Sequence, residues 1–166
     1  MRRLLVFGCW LVLAGVSALG NTGAGSVGVS AKLLPGVSVS TTSLDFGTWI
    51  AADRIHLATA TVTVQASVGA SYAVTLDAGQ HYDGVFWRHV QNNGAEVSYL
   101  VVDPSGSFLW GDGGFANTYS PGNAVHGVGT GTPQSLTANG FLFSLFASPA
   151  SPAGTYTDLI TVTVYY

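Results

Sequence analysis

The chain closes with Gly154-Thr-Tyr-Thr-Asp-Leu-Ile-Thr-Val-Thr-Val-Tyr-Tyr166, a stretch in which apolar and polar residues alternate. Its apolar positions share one parity: Ile160, Val162, Val164 and Tyr166. Thr161 and Thr163 take the other parity, and this period of two is typical of a half-buried β-strand. Because no later segment of the sequence can form a hairpin with this strand, we expect one of its edges to be covered from elsewhere or left open.

The composition predicts an all-β protein. Of the 166 residues, 48% are hydrophobic and only 8% are charged, and 22 are glycines. Thr and Val recur in alternation, and no apolar helical period extends beyond the first 20 residues. Strands joined by glycine-rich turns are therefore the expected elements, and the length suits one domain with its own core.

A strand is also predicted near the N-terminus. Its apolar residues lie on one parity: Val27, Val29, Ala31 and Leu33. The segment Leu34-Pro-Gly36 follows and is expected to break the strand, because proline cannot donate to a ladder and glycine tolerates a turn. Val37 and Val39 then predict a short strand of their own.

Two pairs of segments predict hairpins. Residues 57–66 alternate threonine with apolar residues and lead through a short turn into residues 72–76. Residues 85–90 and 97–102 are separated by Asn93-Gly94, which is a strong signal for a tight turn.

The later part of the chain predicts loops and then a buried strand. Residues 103–133 are rich in Gly, Asn, Pro and Ser and are interpreted as long surface loops. Residues 135–146 carry a nearly continuous apolar run, which suggests burial on both faces. Short strands with turns between them and no helix signal fit a two-sheet sandwich of immunoglobulin type.

The first 20 residues predict export. Arg2 and Arg3 precede an apolar run that ends in the small residues Ala18 and Gly20, as in a secretory signal peptide. The run is shorter than the roughly 20 apolar residues of a membrane anchor. Cleavage after Gly20 would remove Cys9 and leave three basic and eight acidic residues, a net charge of −5. A nucleic-acid partner is therefore not expected.

No catalytic, metal or cofactor site is predicted. The four histidines, His56, His81, His89 and His126, lack metal-ligand spacing, and no Gly-x-Ser-x-Gly nucleophile motif is present. Asx turns explain Asp103 and Asp112 better than a calcium loop does. Buried inter-sheet aromatics and loop anchors are the favoured interpretation, over a sugar-binding platform, for four residues: Trp87, Phe108, Trp110 and Phe115.

Several motifs together resemble the spore coat protein U domain family and the related archaic, Csu-type chaperone–usher pilus subunits. They are Leu44-Asp-Phe-Gly47, residues 62–72 with Gly69-Ala-Ser-Tyr72, residues 99–103, Trp110-Gly-Asp-Gly113, Gly154-Thr-Tyr-Thr-Asp158, Val162-Thr-Val164 and Tyr166. Each motif is weak alone, but their order and spacing are fairly specific. One departure concerns Val37 and Ala66, which stand where similar proteins often carry a cysteine pair; we interpreted them as filling an inter-sheet site.

The resemblance implies an incomplete immunoglobulin-like sandwich that is completed by a donor strand. Its expected regions are a signal peptide (1–20), an N-terminal donor-strand extension (21–34) and the pilin-like domain (35–166). The donor side chains would be Val27, Val29, Ala31 and Leu33. The acceptor groove and C-terminal strand would use Tyr156, Ile160, Val162, Val164 and Tyr166.

The implied function is that of a non-enzymatic structural subunit of a surface pilus that supports adhesion and biofilm formation. Its expected partners are a periplasmic chaperone, an outer-membrane usher and copies of itself or sibling subunits. The alternative is a secreted monomeric β-sandwich that acts as a carbohydrate-binding module, in which residues 27–33 form its own first strand. A secreted hydrolase is disfavoured because no nucleophile constellation is present.

Overall fold

A computed structural model describes residues 30–166, of which Leu34–Tyr166 form one compact unit. Nine strands make up this unit: β1 (Val37–Thr41), β2 (Ile55–Ala66), β3 (Ser71–Leu76), β4 (Arg88–Asn92), β5 (Ala95–Val102), β6 (Trp110–Gly113), β7 (Val125–Val128), β8 (Gln134–Phe143) and β9 (Val162–Tyr165). A 3-10 turn at Ser144–Phe146 is the one helical element among the described residues.

Eight of the nine strands form two antiparallel sheets, and β6 makes only isolated bridges. One has five strands in the order β1-β2-β8-β5-β4, and the other has three in the order β7-β3-β9. The core between them is filled from both sides by alternate residues: Val62, Val64, Val97, Tyr99, Val101 and Leu142 from the first sheet, and Tyr72, Val74 and Leu76 from the second. The predicted all-β, two-sheet architecture is confirmed. No helix within residues 30–166 is both long and apolar enough to cross a membrane.

The hairpin predicted around Asn93-Gly94 is present. β4 and β5 pair antiparallel from Arg88 opposite Tyr99 to Asn92 opposite Ala95. Asn93 and Gly94 have φ values of 49° and 83°. Positive φ at both central residues matches the twist of the flanking strands, and Asn-Gly tolerates it at low cost.

The other predicted hairpin is wrong. β2 pairs with β1 and β8, whereas β3 belongs to the opposite sheet and pairs with β7 and β9. The connection between them crosses from one sheet to the other and is held by Gly129, whose N–H donates to Ala70 and whose carbonyl accepts from Gly69. Both strands have apolar residues to bury, and on opposite sheets the two sets face each other across one core.

Residues 103–133 are not only surface loops, as was predicted, because β6 and β7 lie within them. Trp110 is fully buried and donates its Nε1–H to the carbonyl of Val74 at 2.9 Å. Gly111 packs so closely on Gly122 that a Cβ on Gly111 would lie 2.6 Å from the Gly122 Cα. The glycines that suggested a loop instead allow two backbone segments to approach each other beside a core tryptophan.

The strand predicted at 135–146 is shorter and less buried than expected. β8 ends at Phe143, and its buried residues, Ala138, Gly140 and Leu142, share one parity. Phe141 and Phe143 point to the other face and are half-buried, and Phe146 is 65% exposed. The apolar run had suggested burial on both faces, but only the inner face is covered by the second sheet.

Val37 and Ala66 occupy a different position from the one inferred. They lie opposite each other on β1 and β2, which are neighbours in one sheet. They therefore form a cross-strand pair and do not bridge the two sheets.

Candidate functional site

The closing strand β9 has a neighbour on one side only. It pairs with β3 and ends the three-stranded sheet, and no other strand of residues 30–166 adjoins it. Just before β9, Thr161 donates its N–H to Asp77 Oδ1 at 2.8 Å and accepts from the Asp77 N–H at 3.1 Å. Because main-chain groups alternate in direction along an antiparallel strand, those of Val162 and Val164 face the free edge.

The side chains of this region alternate as the sequence indicates, but their burial is incomplete. Ile160, Val162 and Val164 contact the core and remain half-buried, whereas Thr161 and Thr163 are exposed. Tyr166, which shares the inward parity, is 70% exposed beyond the end of the strand. The inner face of β9 is therefore only partly covered.

Strand β1, in the facing sheet, also has an inward-facing side chain that is incompletely buried. Val39 lies opposite Val64, and directly opposed residues share a face, so both point toward the core. Val64 is fully buried, yet Val39 is 42% exposed. A valine on the core side of a sheet is exposed to this extent because nothing in the second sheet packs over it.

A groove of about 980 Å³ opens between the two sheets. Its floor consists of core residues from both sheets: Ala60, Val62, Leu76, Val90, Tyr99, Val101, Ala138 and Leu142. Residues 41–51 form one wall, and residues 151–160 form the other and lead into Val162. The floor side chains are only 0–9% exposed, so the half-buried apolar side chains of the site are those of the two walls and of β9.

The 41–51 wall contributes apolar side chains that sequence reasoning did not assign to the site. Leu44 and Phe46 pack against Gly140, where an added Cβ would lie 2.7 Å from a Leu44 methyl carbon and 3.0 Å from Phe46 Cζ. Trp49 packs edge-on against Tyr156 of the opposite wall, with ring centroids 5.1 Å apart. The apolar, polar, apolar order of Leu44-Asp-Phe46 was the available signal, but only the fold places it beside the groove.

Main-chain hydrogen bonds tie the 151–160 wall to the edge strand of the five-stranded sheet. Thr157 exchanges two main-chain hydrogen bonds with Gln91 of β4, at 2.9 and 3.1 Å. Tyr156 donates its hydroxyl to the carbonyl of Pro152 at 2.9 Å, and its ring faces the groove. The wall therefore crosses from the edge of one sheet to the edge of the other and closes one side of the sandwich.

Among the four histidines, His81 and His89 are neighbours, since the His89 N–H donates to the His81 carbonyl at 2.8 Å. His81 is beside Asp158, His56 is 3.9 Å from Asp53, and His126 packs near Phe115. Within residues 30–166, no three His, Cys, Asp or Glu side chains lie close enough together to hold a metal ion.

Asp103 and Asp112 are engaged by neighbouring donors. Asp103 accepts from the main-chain N–H groups of Ser107 and Phe108, and Asp112 accepts from those of Thr118 and Tyr119. The donors lie four and five residues after Asp103 and six and seven residues after Asp112, which are longer spans than the two residues of the Asx turns that the sequence favoured.

The four aromatic residues weighed as a sugar platform do not share one surface. Trp110 is buried in the core, Trp87 packs edge-on against Phe86 and Phe143, and Phe115 stacks near Tyr165. Phe108 is 60% exposed.

The predicted donor residues are only partly within the described region. Val27 and Val29, like the predicted signal peptide at 1–20, lie outside the described residues. Ala31 and Leu33 are exposed, Leu33 to 91%.

Comparisons with known proteins relate the chain to one family and one fold. The family model described as "Spore Coat Protein U domain" matches residues 24–163. No curated protein sequence matches the chain. Among solved structures, it is similar to a chain in the crystal structure of the CsuC–CsuE chaperone–tip adhesion subunit pre-assembly complex from archaic chaperone-usher Csu pili of Acinetobacter baumannii, with a TM-score of 0.56 and 19% identity. That similarity covers 81% of this chain and 40% of the other, and it shows a shared fold.

Proposed function

Because the chain belongs to the spore coat protein U domain family, we propose that it is a structural subunit of a surface pilus, assembled by donor-strand complementation. In this proposal the groove is the acceptor site, and residues 21–34 of a neighbouring subunit supply the missing strand. The observation that carries the proposal is the free edge of β9 beside an apolar groove of about 980 Å³.

Strand addition would pair the free main-chain groups of β9 and cover the half-buried apolar side chains beside them. An incoming strand would pair with the main-chain groups of Val162 and Val164, which face the free edge. Its alternate side chains would then enter the groove and cover Ile160, Val162, Val164 and the core side of β1. The donor residues proposed for this role are Val27, Val29, Ala31 and Leu33.

The energy available from such insertion is substantial. Burying Val27, Val29 and Leu33 at about 1.5–3 kcal/mol each would contribute roughly 5–9 kcal/mol before any main-chain hydrogen bond is counted. Association and ordering costs offset part of this gain. Fibre durability would then depend on the paired edge and on slow unfolding-coupled dissociation.

The proposed partners follow from the exposed groove. A subunit with a free strand edge beside a groove needs cover before assembly, so a periplasmic chaperone would fill the groove first and an outer-membrane usher would catalyse the exchange. The related solved structure is described as a chaperone–subunit pre-assembly complex, which supports a chaperone as partner. Export through the predicted signal peptide, cell-surface location, adhesion and biofilm formation belong to the same proposal.

The test uses two rearranged chains. In the filled form, residues 21–34 are moved from the N-terminus to follow Tyr166 through a flexible Gly/Ser linker. In the blocked form, the same rearrangement carries Val29→Asp and Leu33→Asp, so that the segment is present but cannot enter an apolar groove. We expect the filled form to be a monomer whose thermal midpoint exceeds that of the blocked form by roughly 10–20 °C.

A second arm uses the native order of the chain. Deleting residues 21–34 should leave a subunit that its chaperone still holds but that does not extend fibres. Equal thermal midpoints for the filled and blocked forms would contradict the proposal. So would a deletion variant that, without a chaperone, is as stable as the filled form, since its sandwich would then already be complete.

A further inference from the structure

Asp158 is the most deeply buried polar side chain of the groove walls, with 3% of its side chain exposed. Its Oδ2 accepts a hydrogen bond from the Tyr99 hydroxyl at 2.5 Å, and its Oδ1 accepts one from the Gln80 N–H at 2.8 Å. His81 Nδ1 lies 3.2 Å from the same Oδ1. One carboxylate thus joins the 151–160 wall to β5 and to the loop that follows β3.

These contacts satisfy a charge that would otherwise be costly to bury. A carboxylate with several donors is stable in the interior, whereas one that loses a donor bears a desolvation penalty. Burial, followed by the hydrogen bond to Asp158, raises the pKa of the Tyr99 hydroxyl, so that this group stays protonated and acts as the donor. Tyr99 and Asp158 both line the groove.

The tethers around Asp158 are sparse. Thr157 is bonded to Gln91 on one side, and Thr161 is bonded to Asp77 on the other. Between these points the wall borders the open groove, and Asp158 is the residue whose side chain anchors it to the floor at Tyr99. A segment in this position would normally be held by a neighbouring strand, which is the element that the domain lacks.

We propose that Asp158 is a positioning residue of the acceptor groove: its hydrogen bonds to Tyr99, Gln80 and His81 hold the wall in place while no donor strand is bound. The inference rests on the proposed function. Once a donor strand pairs with the edge of β9, main-chain hydrogen bonds to Val162 and Val164 fix the strand into which the wall leads. The contribution of Asp158 is therefore largest in the empty domain.

The test compares Asp158→Asn in the filled and blocked forms defined above. The amide retains the size of the side chain but removes the charge, and it places an N–H₂ group among donors. We expect the thermal midpoint of the blocked form to fall by roughly 6–12 °C, as for the loss of a charged, buried hydrogen-bond acceptor. In the filled form the fall should be less than half as large.

Asp112→Asn is the matched control. Asp112 is also buried and accepts from three donors, two from Thr118 and one from Tyr119, but it does not line the groove. Its replacement should lower the midpoint by the same amount in both forms. If the blocked Asp158→Asn variant does not fold, Tyr99→Phe replaces it. This change removes one donor, so the thermal midpoint should again fall more in the blocked form than in the filled form, but by a smaller amount.

The outcomes separate the two proposals. If filling fails to stabilise the unsubstituted chain, the donor-strand function and the role of Asp158 are both overturned. If filling stabilises the chain but Asp158→Asn costs the same in both forms, only the positioning role is overturned and Asp158 is an ordinary structural residue. A loss concentrated in the blocked form supports the inference.

Discussion

Val37 lies directly opposite Ala66 in the β1–β2 ladder, in a pair that does not share main-chain hydrogen bonds. The assignment follows from the next pair outward, in which the Ser67 N–H donates to the Gly36 carbonyl at 3.1 Å, because bonded and non-bonded pairs alternate along an antiparallel ladder. Cα atoms in a non-bonded pair are about 4.5 Å apart, which lies within the range that a disulfide spans.

The first prediction is that Val37→Cys with Ala66→Cys forms a disulfide in the oxidised protein. The bond would close a loop of about 30 residues and raise the free energy of unfolding by roughly 3–4 kcal/mol on a chain-entropy argument. Thiol titration of the unfolded protein and denaturant unfolding with and without reductant measure both effects. Val39→Cys with Ala66→Cys, a diagonal pair about 7–8 Å apart, should remain reduced. An equal yield of both cross-links would show that the register is wrong.

The second prediction concerns the parity of β9. Val162→Asp should prevent accumulation of the folded protein, because it places a charge against the core where truncation alone typically costs ~2–5 kcal/mol. Thr163→Asp introduces the same charge one residue later, on the exposed face, and should leave most of the protein folded. The measurement is the soluble, protease-resistant yield of each variant. Similar yields would contradict the inward orientation of Val162.

Local signals predicted part of this fold well. The Asn93-Gly94 turn and the alternation of β2 and β9 depend on neighbouring residues, and the structure has the expected elements at these places. The β2–β3 connection has an equally good local signal, but whether two strands pair or face each other depends on distant partners. β2 needs β8 and β3 needs β9, and no property of the connecting turn encodes either choice.

The groove could be anticipated only in part. Its closing strand was visible as an alternating segment, and the resemblance suggested a missing neighbour. The hydrogen bond between Tyr99 and Asp158 joins residues 59 positions apart. Both residue types are common on surfaces, so nothing in the sequence pairs them. Burial was the favoured interpretation of Trp110, but the strand that carries it was not predicted, because its glycine neighbours are typical of loops and only the close approach of Gly122 explains them.

The third prediction is a loss of stability in acid that depends on two turn aspartates. Although slight burial acts to raise the pKa of Asp83, hydrogen bonds from the N–H groups of Val85, Phe86 and Trp87 outweigh it and hold this pKa below the ordinary value of 3.8. The pKa of Asp103 is lowered in the same way, against burial, by Ser105, Phe108 and Ser107. A lowered folded-state pKa stabilises the protein above the unfolded-state value, and that stabilisation is lost as the pH falls through the folded-state value.

The Asp83→Asn, Asp103→Asn double variant tests this dependence. At neutral pH it should unfold at lower denaturant concentration than the unsubstituted chain, and the difference should shrink as the pH falls below about 4. Glu96→Gln is a suitable control, since Glu96 is exposed, forms no ion pair within the described chain and accepts from the side-chain amide of Gln91. A difference that stays constant down to pH 2 would show that the turns do not depend on the charge of these carboxylates.

The fourth prediction is that Trp110 stabilises the domain through both its volume and its single hydrogen bond. Trp110→Phe leaves space in the core and removes the Nε1–H donor from the Val74 carbonyl, which lies on the central strand of the three-stranded sheet. The two losses together should lower the free energy of unfolding by roughly 2–4 kcal/mol.

Trp87→Phe makes the same chemical change at a half-buried residue that packs edge-on against Phe86 and Phe143, and it should cost less than half as much. Both variants are measured by denaturant unfolding of the filled form. The groove is occupied in this form, so the two losses of unfolding free energy can be compared directly. If the two substitutions lowered the unfolding free energy equally, Trp110 would be packed no better than the half-buried ring of Trp87. The Gly111–Gly122 contact beside Trp110 would then not be a close approach.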